Sequence, residues 1–162
     1  MFSAELRARA ETLLAAARAK GLKIATAESC TGGLIAGLLT EIPGSSDVLD
    51  RGFVTYSNQA KEGMLAVPGA MIRQHGAASE AVARAMAEGA IRNSTAQLSV
   101  AVTGVAGPGG GSDEKPVGLV HIAAARAGEA TMHRECRFGD IGRADVRLKS
   151  VETALTLLEE LL

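Results

Sequence analysis

A short apolar strand runs without a spacer into a serine- and glycine-rich turn, and the turn into an apolar helix. No other feature limits the fold of this chain so strongly. Lys23 to Ala27 reads as the strand, Glu28-Ser29-Cys30-Thr31-Gly32-Gly33 as the turn, and Leu34, Ile35, Leu38, Leu39 and Ile42 as the buried stripe of the helix. A strand that passes straight into a helix is the start of a parallel crossover unit, so the chain is expected to build an α/β sheet. The surrounding pattern agrees. Leu6, Ala10, Leu13, Leu14 and Ala17 share one helical face, and Gly21 stops that helix. Pro43-Gly44-Ser45-Ser46 breaks the second helix, Gly52 to Ser57 reads as a strand, and Asn58 to Leu65 as a short helix followed by a Val67-Pro68-Gly69 turn. Ser79 caps a helix that runs to about Asn93, with Glu80 in its first turn. Leu98 to Thr103 is a strand ending in the glycine-rich run Gly104 to Gly111. Val117 to Ala125 and Ala130 to Phe138 form a hairpin around Ala127-Gly128, and Leu148, Val151, Leu155 and Leu158 place a last helix on the core. The expected architecture is a three-layer α/β/α domain over residues 1–162, with a mixed, mostly parallel sheet and no internal repeat or linker.

Composition decides what fills that architecture and what it binds. Hydrophobic residues make up 47% of the chain but aromatics only 2%, so the core must be Ala, Val, Leu and Ile. A net charge of −1, from 17 basic and 18 acidic residues, lacks the basic excess or stacking aromatics of a nucleic-acid binder. Cys30 and Cys136 have no CxxC spacing and suit a reducing compartment. Met1 to Glu5 already reads as polar and helical, no signal peptide is visible, and no apolar run approaches the ~20 residues of a membrane span. A cytoplasmic protein without nucleic-acid or membrane partners is expected.

Four segments carry chemistry. TAESCTGG puts Ser29 beyond a strand end, where helix amides gather anions and ligands collect in open α/β sheets. Gly32 and Gly33 allow close backbone approach. The simpler alternative is that Ser29 or Thr31 only caps the helix. TGVAGPGGGSDEKPVG is neither a Walker A loop nor a dinucleotide fingerprint, because Gly104 and Gly107 are too close together and a strand follows. Such a loop still presents several amides to an anion, or serves only as a β-connection. YSNQAK sets Tyr56 and Lys61 beyond another strand end; a lysine becomes a general base where its pKa falls toward neutrality, though most lysines are solvated surface charges. GDIGRADVR places Arg143 and Arg147 one turn apart at the start of the last helix, where cations oppose the helix dipole. Their forks suit phosphate or carboxylate, and surface ion pairing is the alternative.

Metal chemistry finds no support in the pattern. His75, His121 and His133 are scattered, no HExxH or Cys/His cluster is present, and GxSxG is absent. His121 and His133 fall in expected strands and read as packing residues.

Taken in order, TAESCTGG, TYSNQAK, VTGVAGPGGGSDEKPVG and FGDIGRADVR closely resemble the C-terminal domain of the CinA (competence/damage-inducible protein) family. The stand-alone form of that domain is a nicotinamide-nucleotide amidohydrolase. The resemblance implies hydrolysis of the carboxamide of nicotinamide mononucleotide to nicotinic acid mononucleotide and ammonia, without metal or other cofactor, by a serine–lysine pair. On this sequence Ser29 matches the nucleophile, Lys61 the base and Tyr56 a supporting hydroxyl. Cys30, Thr31, Gly32, Thr103, Gly104, Gly107 and Arg143 match positions around the substrate. Val105 stands where isoleucine is common, a change expected to be harmless. The resemblance also implies a homodimer. Longer members carry a further N-terminal domain resembling molybdopterin-binding proteins, and nothing attributed to that domain is carried over. The alternative function is a non-catalytic module that binds a phosphorylated metabolite and serves competence or DNA-damage responses.

Overall fold

The computed structural model describes residues 1–162. In chain order the elements are α1 (Ala4–Ala19), β1 (Ile24–Glu28), α2 (Leu34–Thr40), a 3-10 turn at Ser45–Asp47, β2 (Leu49–Val54), α3 (Asn58–Leu65), α4 (Gly69–His75), α5 (Glu80–Arg92), β3 (Leu98–Gly104), β4 (Leu119–Arg126), β5 (Met132–Arg137) and α6 (Arg143–Leu161). The five strands form one sheet in the order β2-β1-β3-β4-β5. β1 pairs parallel with β2 and β3, while β4 is antiparallel to both β3 and β5. The sheet is therefore mixed, and only β4 opposes the common strand direction.

Each strand sorts its side chains by parity, and size follows the sorting. Ile24, Leu98, Val100, Val102, Val120 and Ile122 face a core built with Leu6, Leu13 and Leu14 of α1, Ile35, Leu38 and Leu39 of α2, and Val151, Leu155 and Leu158 of α6. Full burial of each such aliphatic side chain contributes about 1.5–3 kcal/mol. The opposite face is nearly all alanine. Ala25, Ala27, Ala101, Ala123 and Ala125 meet Val82, Ala83, Met86 and Ala90 of α5 together with Leu65 and Ile72 of α3 and α4. Small residues let α5 lie close to the sheet, close enough for Ser99 Oγ to donate to Ala87 O at 2.6 Å. The same closeness admits only glycine at position 89, where a Cβ would stand 2.1 Å from the Leu65 carbonyl oxygen. An aromatic-poor sequence is what such a layer requires. No helix is long and apolar enough to cross a membrane.

Two elements differ from the sequence reading. Residues 69–75 form α4 directly after the expected Val67-Pro68 turn, in a stretch for which the sequence reading named no element. Pro68 stands at its N-cap, where its missing N–H costs the helix no hydrogen bond. β2 begins earlier and ends at Val54, because Ser57 leaves the sheet to cap α3, its side chain accepting from Ala60 N at 3.0 Å.

Candidate active site

The carboxyl ends of β1, β2 and β3 lie side by side, with Glu28 in register with both Val54 and Val102. The chain leaves β1 through α2 on one face of the sheet and leaves β2 through α3 to α5 on the other. Divergent connections of this kind open a crevice at the strand ends. A cavity of about 270 Å³ occupies this crevice, lined by Ser29, Cys30, Tyr56, Asn58, Lys61, Ala77, Ala78, Thr103, Gly104, Val105, Ala106 and Arg143.

Lys61 is the polar centre of the cavity. It projects from α3, is 1% exposed, and donates from Nζ to Ser29 Oγ at 3.0 Å and to Thr55 O at 2.9 Å. No carboxylate forms an ion pair with it. Burial therefore holds the amine below the ordinary lysine value, in the direction that favours the neutral base. Cys30 next door behaves oppositely: burial pushes its thiol up to about 11, so it stays protonated near neutral pH.

Whether Ser29 is a mere cap is answered by a residue that the sequence reading overlooked. Glu28, fully buried, accepts from Ile35 N at 2.9 Å and Ala36 N at 3.1 Å, and so satisfies the first turn of α2. The N-cap position itself, Gly33 at φ +102, makes no side-chain cap bond. Ser29 Oγ is left to Lys61. Thr31 Oγ1 is buried without a hydrogen-bond partner and caps nothing either.

The remaining residues divide by place. Arg143, the first residue of α6, donates to Gly107 O at 2.8 Å and to Tyr56 Oη at 2.9 Å. It joins the glycine-rich loop to the segment after β2 across the mouth of the cavity. Thr103 Oγ1 donates to Ala77 O at 2.9 Å and fastens the segment between α4 and α5 as a further wall. Lys115 reaches from the glycine-rich loop to the His75 carbonyl and holds the same segment. Gly104 is the close approach to β4: a Cβ there would stand 2.6 Å from Leu119 O. Thr31, Gly32 and Gly107 stand behind the wall, with Thr31 O and Gly107 O accepting from arginines. Asn58, Ala77, Ala78 and Ala106 line the cavity without having been singled out by the sequence. The alanines carry no chemical signal, and only the YSNQAK segment could have pointed to Asn58. His121 and His133 pack against each other from β4 and β5, with ring nitrogens 2.9 Å apart, and lie outside the cavity wall. No three His, Cys, Asp or Glu side chains are grouped to hold a metal ion.

Comparison with known proteins fits this arrangement. A nicotinamide-nucleotide amidohydrolase, PncC of Escherichia coli K12, is 47% identical over 98% of this chain and 95% of its own length. A CinA-like protein of Synechococcus is 49% identical over 97% of the chain but only 38% of its own length. The chain spans 26–38% of the length of the first curated relatives it matches. The crystal structure of the competence/damage inducible protein CihA from Agrobacterium tumefaciens superposes with a TM-score of 0.97 at 52% identity, over 99% of this chain and 98% of that one. A CinA superfamily structure from Escherichia coli gives 0.92 at 34% identity, over 100% and 94%. The family model of the CinA C-terminal domain matches residues 6–162, and the chain belongs to that family.

Proposed function

We propose that this chain is an amidohydrolase that cleaves the carboxamide of nicotinamide mononucleotide, giving nicotinic acid mononucleotide and ammonia. The observation that carries the reading is the buried Lys61 Nζ at 3.0 Å from Ser29 Oγ, an amine without a carboxylate partner beside a hydroxyl in a cavity. The relative named for that activity supports the substrate. In this mechanism neutral Lys61 accepts the Ser29 proton as Oγ attacks the amide carbon. The tetrahedral oxyanion collapses, and Lys61 returns the proton to the departing nitrogen as ammonia leaves. Water then attacks the acyl-serine, with Lys61 again taking and returning a proton, and the carboxylic acid is released. Tyr56 and Arg143, bonded to each other at the mouth, and the amides of the glycine-rich loop face the phosphate.

Ammonia release from nicotinamide mononucleotide, measured with purified protein in a strong chelator, tests the assignment. Activity persisting in the chelator is expected, and loss that zinc restores would remove the serine–lysine mechanism. A cytoplasmic homodimer belongs to the same reading, and light scattering on the eluted protein tests the dimer.

A further inference from the structure

The turn that carries Ser29 is gripped by one side chain from a distant helix. Arg147, one turn beyond Arg143 on α6, donates from Nε to Cys30 O at 3.0 Å and from Nη2 to Thr31 O at 3.2 Å. It forms no ion pair. A cation near the N-terminal end of a helix does not stabilise that helix, so α6 gives no reason for its presence. The turn is shaped to receive it. Gly32 has φ +58, which strains any other residue, and its Cα side lies in contact with the guanidinium, a Cβ there standing 3.4 Å from Arg147 Nη2.

The consequence lies on the other side of the peptide planes. A trans peptide unit is planar, so fixing a carbonyl fixes the following N–H in the opposite direction. The Ser29 carbonyl accepts from Gly32 N at 2.9 Å and thereby orients the Cys30 amide, while Arg147 holds the Thr31 carbonyl and thereby orients the Gly32 N–H that makes this bond. The Cys30 amide donates to no backbone carbonyl. Cys30 lines the cavity beside Ser29.

We infer that Arg147 is a positioning residue, which holds the Cys30 amide as the oxyanion-hole donor for the tetrahedral species formed on Ser29. The inference rests on the serine–lysine reading above. It gives the arginine a role in the barrier and none in nucleotide binding.

The test compares wild type with Arg147→Met and Arg147→Lys in two assays. One is steady-state ammonia release from nicotinamide mononucleotide. The other is the rate at which a fluorophosphonate, whose phosphoryl oxygen occupies the same hole, labels Ser29 as read by intact mass. Removing an oxyanion donor costs about 10²–10³ in kcat, and loosening one costs less, so Arg147→Met should lower kcat by about 10–100-fold with KM within about threefold. Labelling should slow by a similar factor, and Arg147→Lys, keeping one carbonyl contact, should recover part of both. Wild-type kcat and labelling in a folded Arg147→Met, or a loss confined to KM, overturns the role. Should Arg147→Met not fold, Arg147→Lys decides alone: slower labelling supports the role and wild-type labelling overturns it. If the wild type is labelled at Ser29 yet releases no ammonia, the substrate assignment fails, and the labelling rates still decide the role of Arg147. A wild type that takes no label overturns both.

Discussion

Glu28→Gln is a sharp probe of how the nucleophile turn is built. The substitution keeps shape and volume at a position with no exposure, so neither a cavity nor solvent enters the comparison. The carboxylate now accepts from two amides, Ile35 N at 2.9 Å and Ala36 N at 3.1 Å. A carboxamide has one oxygen to offer and must turn its NH₂ toward the other N–H, setting donor against donor. Losing a hydrogen bond to a charged group costs about 1.5–3 kcal/mol, and the charge's favourable interaction with the N-terminal end of α2 adds about 0.3–1 kcal/mol. The expected total is roughly 2–4 kcal/mol. For a domain of this size each kcal/mol moves the melting midpoint by about 2–4 °C, so calorimetry should record a fall of roughly 5–15 °C. Because Ser29 is the next residue, kcat for ammonia release should fall more than KM rises. A midpoint within about 1 °C of wild type would refute the capping role and with it the account of why Ser29 is free.

Three further outcomes follow from the site. Ser29→Ala and Lys61→Ala should each abolish ammonia release while leaving the melting transition cooperative, and Cys30→Ala should retain most activity; an inactive Cys30→Ala beside an active Ser29→Ala would reverse the assignment of the nucleophile. The rate should climb with pH as Lys61 loses its proton, through a midpoint below the ordinary lysine value of 10.5, because burial favours the neutral amine; Lys61→Arg should be inactive at every pH, since a guanidinium does not deprotonate. Arg143→Ala should raise KM for the nucleotide by about 10–100-fold, the worth of one or two charge-assisted hydrogen bonds, and leave any turnover of free nicotinamide unchanged. Equal cleavage of nicotinamide and its nucleotide by the wild type would remove Arg143 and the loop from phosphate recognition.

Local pattern was enough for the elements whose signals are local. The stripe of Leu6, Ala10, Leu13, Leu14 and Ala17 is buried on α1 as its 3.6-residue spacing demands, Ser79 caps α5 by accepting from Val82 N, and Asn58 to Leu65 is α3. Residues 69–75 were illegible because Pro68-Gly69 carries the same signal for a turn as for a helix start, and burial of Ile72 against the alanine-faced sheet decides between them. The quoted motifs likewise placed Ser29, Lys61, Tyr56 and Thr103 near strand ends, since glycine and serine turns after β-branched runs mark those ends, and Arg143 at the start of the last helix. What the sequence could not determine is which atoms meet. Ser29 and Lys61 are separated by 31 residues, and only the parallel pairing of β1 with β2 brings Oγ and Nζ to 3.0 Å. Glu28 reads as an ordinary strand-end acid until the sheet buries it under α2, and Arg147 as a surface cation until α6 lays it over the Cys30 and Thr31 carbonyls. Periodicity encodes the face on which a residue lies, but a hydrogen bond across 117 positions, like that from Arg147 to Cys30, depends on strand order and helix packing that exist only in the assembled fold.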